Sequence, residues 1–144
     1  FGREQIRWLR HQLQDAAVAQ QRVILLSHAI LSPDACDGTT MPWDYEEALD
    51  AIKAQRPGLV AAVFCGHDHK GGYHFDASTR VYHLTLSSPL NQGIDGTAYG
   101  IVEVHDDRIE LRGPRLDDLL PKANGRPGVT QLAAGGELLR LPLP

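Results

Sequence analysis

Two short apolar runs, each ending at a histidine, constrain this 144-residue chain more than any other feature. Val23-Ile24-Leu25-Leu26 leads into Ser27-His28, and Leu59 to Cys65 leads into Gly66-His67. A strand that is apolar at successive positions needs cover on both faces, as in the centre of a parallel sheet. Between the runs, Tyr45, Ala48, Leu49 and Ile52 repeat at the spacing of one helix face, and Pro57-Gly58 closes that helix. Asp44 is expected to cap it by accepting a bond from the Glu47 amide, as in a capping box. The result is a strand–helix–strand unit, expected to make a right-handed crossover between parallel strands.

Around this unit the pattern changes. Residues 4–20 place Ile6, Leu9, Leu13 and Ala16 on one face of a helix. Residues 29–42 hold Pro33, Asp34, Asp37 and Gly38 and read as a loop. Residues 80–86, 98–104 and 108–112 read as strands, with Asp106-Asp107 as a hairpin turn. The sequence therefore divides into residues 1–113 and a Pro/Gly-rich tail, 114–144, expected to be loosely ordered or appended. Its one apolar stretch is Leu138 to Leu143.

Composition excludes several classes of function. With 42% hydrophobic and 22% charged residues the chain is globular in type. Its 14 Lys+Arg against 18 Asp+Glu rule out a broad basic surface for nucleic acid. No apolar run is long enough to span a membrane. Cys36 and Cys65 are too few for a four-cysteine zinc module and fit a reducing, cytoplasmic setting. The chain begins at Phe1 without a Met and reads as a fragment, so targeting is left open.

The histidines carry the chemistry. In parallel α/β sheets, ligands collect at the carboxyl ends of the strands, where the loops emerge together. His28 and His67 each follow such an end, and neighbouring strands lie about 4.8 Å apart. Two imidazoles reaching across that gap can share a metal ion. In an extended turn His69 faces the same side as His67 while Asp68 turns away. Gly71 and Gly72 leave backbone amides bare for an anion. His74 and His83 are expected in supporting or packing roles, His11 and His105 toward solvent, and the cysteines as space-fillers.

These residues form recognisable motifs. Ser27-His28, Trp43-Asp44-Tyr45-Glu46-Glu47 and Gly66-His67-Asp68-His69-Lys70-Gly71-Gly72-Tyr73 resemble the calcineurin-like metallophosphoesterases. Within them the chain is most similar to the manganese-dependent ADP-ribose/CDP-alcohol diphosphatase branch. Trp8-Leu9 and Val81-Tyr82-His83-Leu84 extend the likeness, which covers about residues 1–113. It implies the carboxyl-terminal half of an α/β/β/α four-layer sandwich with two divalent metal ions, manganese first, with iron or zinc as alternatives. His28 and His67 would bind one ion and His69 the other. Gly71, Gly72 and Tyr73 would contact a phosphorylated small-molecule substrate, with neither nucleic acid nor membrane as partner. The ions would activate a hydroxide that attacks phosphorus in line.

The resemblance also shows what is missing. The family's D-x-H, its G-D with the bridging carboxylate, and its G-N-H-[DE] with the catalytic His do not occur here, and Asn91 and Asn124 precede Gln and Gly. Ser87-Ser88-Pro89-Leu90-Asn91 stands where close relatives tend to carry a Gly and a Glu. The expected parent hydrolyses a nucleoside-diphosphate-linked small molecule, and these 144 residues alone are expected to be inert. The alternative is a non-catalytic module in which the three histidines bind one zinc. A jelly-roll oxygenase, which also uses H-x-H, fits poorly: the next Glu after His69 is Glu103, and two helices precede the pair.

Overall fold

The apolar stripe of residues 4–20 forms helix α1 (Arg3–Val18), which buries Ile6, Leu9, Leu13 and Ala16. In the computed structural model, which describes residues 1–36, 41–91, 100–113, 130–132 and 137–143, the chain continues as β1 (Val23–Ser27) and a 3₁₀ turn, Pro33–Ala35. Helix α2 (Tyr45–Lys53) and β2 (Val60–Cys65) follow. Next come β3 (Gly72–Asp76), β4 (Val81–Thr85), β5 (Ile101–Val104) and β6 (Arg108–Gly113). β7 (Thr130–Leu132) and β8 (Glu137–Pro142) complete the described elements.

Two four-stranded sheets result, ordered β1-β2-β4-β3 and β5-β6-β8-β7. β1 and β2 are parallel neighbours, as the two apolar runs require, and β4 runs parallel to β2. β2 is buried at every position. One of its faces packs Val60, Val63 and Cys65 with Val81 under α1 and α2. The other packs Ala62 and Phe64 with Tyr82 and Leu84 against Ile109, Leu111, Leu139 and Leu141 of the second sheet. Helices, sheet and second sheet are thus stacked as an α/β/β sandwich. Among the described residues no helix is long and apolar enough to cross a membrane.

Three expectations are corrected. The glycine segment after His69 does not stay a loop: Gly72–Asp76 is strand β3, antiparallel to β4. One described part of the tail is not appended: β8 pairs with β6 and sets Leu139 and Leu141 in the core. Tyr82 Oη donates to the Pro142 carbonyl at 2.8 Å, tying that strand to the first sheet. Asp44 occupies the N-cap position but makes no cap bond. Its carboxylate instead accepts the Gly2 amide at 2.7 Å, joining α1 to α2. The Gly2 bond is the main reason its carboxyl stays below the ordinary carboxylate range.

Candidate metal centre

β1 and β2 pair in register up to Ser27↔Cys65, so His28 and His67 leave adjacent strand ends together. The Ser27 hydroxyl donates to the Ala29 carbonyl at 2.7 Å and turns the chain just after β1. Gly66 lies under His28; a Cβ there would sit 3.4 Å from the imidazole Nδ1. His67 adopts φ 67°, a left-handed conformation uncommon for a non-glycine residue. The turn is held by the Asp68 amide on the Gly66 carbonyl at 2.8 Å and the Gly71 amide on the Asp68 carbonyl at 3.1 Å.

The geometry brings the two imidazoles edge to face. His28 Nε2 and His67 Nδ1 are 3.2 Å apart, with the rings edge-on at 76°. As they stand, the nitrogens can share one proton. An ion about 2.1 Å from each would subtend an angle of roughly 100°, within the range of tetrahedral and octahedral coordination. The donor pair therefore fits a borderline divalent cation such as manganese, iron or zinc.

His69 lines the same open cavity, of about 610 Å³, together with His28 and His67. Asp68 is only 3% exposed and its Oδ1 accepts the Lys70 amide at 2.9 Å, in a tight turn where an extended one is expected. The three imidazoles do not close into one tight ligand set. Among the described residues, only Glu103, His105 and Glu110 have ligand atoms all within 4.8 Å of one another. That group was not foreseen and is not a cation site: Glu110 already accepts Arg108, Arg112 and Arg140 at 2.7, 2.7 and 2.8 Å. Bonds from these guanidiniums, Arg108 first, hold the Glu110 carboxyl at about 2 despite its burial. His105, expected toward solvent, rests against this cluster with Nε2 3.9 Å from Glu110.

The remaining predicted site residues lie elsewhere. Gly71, Gly72 and Tyr73 are buried and do not line the histidine cavity. Gly72 packs against the 3₁₀ turn, and Tyr73 is fully enclosed between the sheets. Ser87, Ser88 and Pro89 do line the cavity. Burial pushes the Cys65 thiol up to about 11, which removes it as a nucleophile near neutral pH. Trp43 is fully exposed, and Tyr45 points to a different cavity. Asp37 and Gly38 lie outside the described residues.

No family model matches the chain. Curated relatives do. A manganese-dependent ADP-ribose/CDP-alcohol diphosphatase of Oryza sativa is 38% identical over 112 residues, 78% of this chain and 34% of that protein. The human protein of the same name is 35% identical over 113 residues, 78% of this chain and 32% of its own length. Among solved structures, a dimetal phosphatase from Danio rerio superposes with a TM-score of 0.72 at 27% identity, over 77% of this chain and 34% of that one. The chain spans about a third of the length of the relatives it matches. In sequence and fold this chain is similar to about a third of those diphosphatases and of that dimetal phosphatase, in agreement with the metallophosphoesterase resemblance of its motifs.

Proposed function

We propose that these residues form part of the active site of a metal-dependent hydrolase that cleaves phosphoanhydride links in nucleoside-diphosphate-linked small molecules of the ADP-ribose or CDP-alcohol type. The observation that carries this reading is the 3.2 Å approach of His28 Nε2 and His67 Nδ1 at the ends of two adjacent parallel strands. His28 and His67 would hold one divalent cation and His69 would contribute to a second. Such ions, when bound, polarise the phosphoryl oxygens and lower the pKa of an attacking water. The chain's own part is to fix the two imidazoles through Gly66, the Ser27 turn and the Asp68 turn, and to leave the cavity open to a substrate.

The described lining of that cavity contains no carboxylate. Neutral imidazoles cannot offset the charge of two divalent ions, so we propose that the remaining ligands come from sequence beyond these 144 residues. The edge of the sandwich supports this. Leu26, Val102 and Val104 lie on the inner sheet faces but are 81%, 42% and 60% exposed, an apolar margin suited to cover by further protein. Arg22 bonds the Asp106 carbonyl, which sets β1 beside the β5–β6 turn on that margin. A cytoplasmic setting belongs to the same proposal, supported by two buried cysteines that form no disulfide.

The test is manganese-dependent hydrolysis of ADP-ribose by the 144-residue chain and by a polypeptide extended with its upstream coding sequence. The chain alone should be inert and the extended protein active, with His67→Ala lowering turnover by about 100-fold or more. Full activity in the 144 residues, or an extended protein indifferent to His67→Ala, would defeat the reading.

A further inference from the structure

Three parallel strands, β1, β2 and β4, end on one edge of the first sheet, and the exit of β4 bears on the histidine turn. β4 stops at Thr85, level with Cys65 of β2. The Leu86 amide then donates to the Cys65 carbonyl at 2.8 Å, and the Ser88 amide to the His69 carbonyl at 3.2 Å. Amides two residues apart face the same way in an extended chain. One short strap, Leu86 to Ser88, therefore holds the turn on both sides of Gly66-His67-Asp68, and all three of its residues line the histidine cavity.

His69 differs from His28 and His67 in how it is held. Those two leave the paired ends of β1 and β2. His69 is exposed and sits inside a turn closed by bonds from Asp68 to Gly66, from Gly71 to Asp68 and from Lys70 to the Asp68 carboxylate. None of those three bonds uses a backbone group of His69. The Ser88 amide does, and it comes from outside the turn. An exposed imidazole points where its backbone and supporting hydrogen bonds direct it.

Ser88 is fixed in turn through its hydroxyl. Its Oγ accepts the Leu90 amide at 3.2 Å, a local bond that bends the chain into a second 3₁₀ turn, Pro89–Asn91. Pro89 has no amide to donate, so Leu90 offers the first donor after Ser88. We propose that Ser88 is a positioning residue for the second cation. Its hydroxyl anchors the strap, and its amide fixes the His69 backbone and with it the direction of the His69 imidazole. The inference rests on the reading that His69 contributes to a second ion.

The experiment compares Ser88→Ala with Ser88→Thr, which keeps the hydroxyl. In the metal-free 144-residue chain, Ser88→Ala should speed hydrogen exchange of the residue 88 amide about tenfold. It should also give His69 averaged side-chain couplings by NMR, with those of His28 and His67 unchanged, while Ser88→Thr behaves as the parent. In the protein extended by its upstream coding sequence, Ser88→Ala should raise the manganese concentration for half-maximal ADP-ribose hydrolysis about tenfold, and Ser88→Thr should not. A Ser88→Ala chain with His69 as ordered as in the parent, or with all three histidines loosened alike, would overturn the proposal and leave the hydrolase reading standing. So would an unchanged manganese dependence in an active extended protein. An extended protein indifferent to His67→Ala would instead defeat the hydrolase reading, whatever Ser88→Ala does to His69.

Discussion

The α-carbon of Gly72 lies so close to Ala35 that a Cβ on it would meet the Ala35 carbonyl oxygen at 2.2 Å. The obstacle is backbone, which cannot swing aside as a side chain would. Gly72→Ala should therefore force the 3₁₀ turn away from β3 and cost about 1–3 kcal/mol. Gly66→Ala meets only the His28 ring, at 3.4 Å, and should be milder. Urea unfolding of both variants checks the ranking.

Leu141 is fully buried between the sheets, in a strand that composition alone assigns to a loose tail. Leu141→Ala should cost about 2–5 kcal/mol, the ordinary range for emptying a core position. Loss of the Tyr82 hydroxyl in Tyr82→Phe, which frees the Pro142 carbonyl, should cost about 1 kcal/mol. If the tail were appended, neither change would shift the unfolding midpoint.

His83 gives a stability change with a defined direction. Its folded-state value is lowered from 6.5 to about 4, so between these pH values the unfolded chain binds the extra proton. Its contribution is complete above pH 6.5 and is lost as pH falls toward 4, about 3 kcal/mol in all. Stability measured across that interval should fall with acid in the parent and more shallowly in His83→Gln.

Glu110 acts lower on the scale. Its carboxyl, held at about 2 instead of 4.5, stabilises the fold above pH 4.5 and loses that effect as pH falls through 2. Glu110→Gln should leave Arg108, Arg112 and Arg140 facing one another around a neutral amide. The variant should be less stable than the parent at neutral pH, and the two should converge near pH 2 in acid titrations followed by circular dichroism.

The parts of this molecule legible in sequence are those where one physical requirement dominates. The doubly buried run Leu59 to Cys65 could only be a central strand, and it fixed both the parallel pairing and the place of His67. β3 was not legible because Gly71-Gly72 reads as loop. Its strand character comes from pairing Tyr73 with Leu84 and from the close approach to Ala35, both tertiary. β8 was hidden in the same way, since Leu139 and Leu141 gain their meaning only opposite Leu111 and Ile109. Asp44 reads in sequence as a local cap, yet its carboxylate accepts the Gly2 amide, distant in sequence. The His28–His67 pair was visible because strand ends project in a known direction. The Glu110 arginine cluster was not, because Arg140 joins Arg108 and Arg112 of β6 only through the pairing of β8 with β6.

The central claim is that His28 and His67 together hold a divalent cation. Manganese added in small amounts to the ¹⁵N-labelled chain reports it directly, because the paramagnetic ion broadens the nuclei nearest to it. The account predicts that His28 Nε2 and His67 Nδ1 disappear first, and that His67→Ala abolishes the loss at His28. Broadening that begins at Glu103 and His105, or that leaves both imidazoles sharp at saturation, would contradict it.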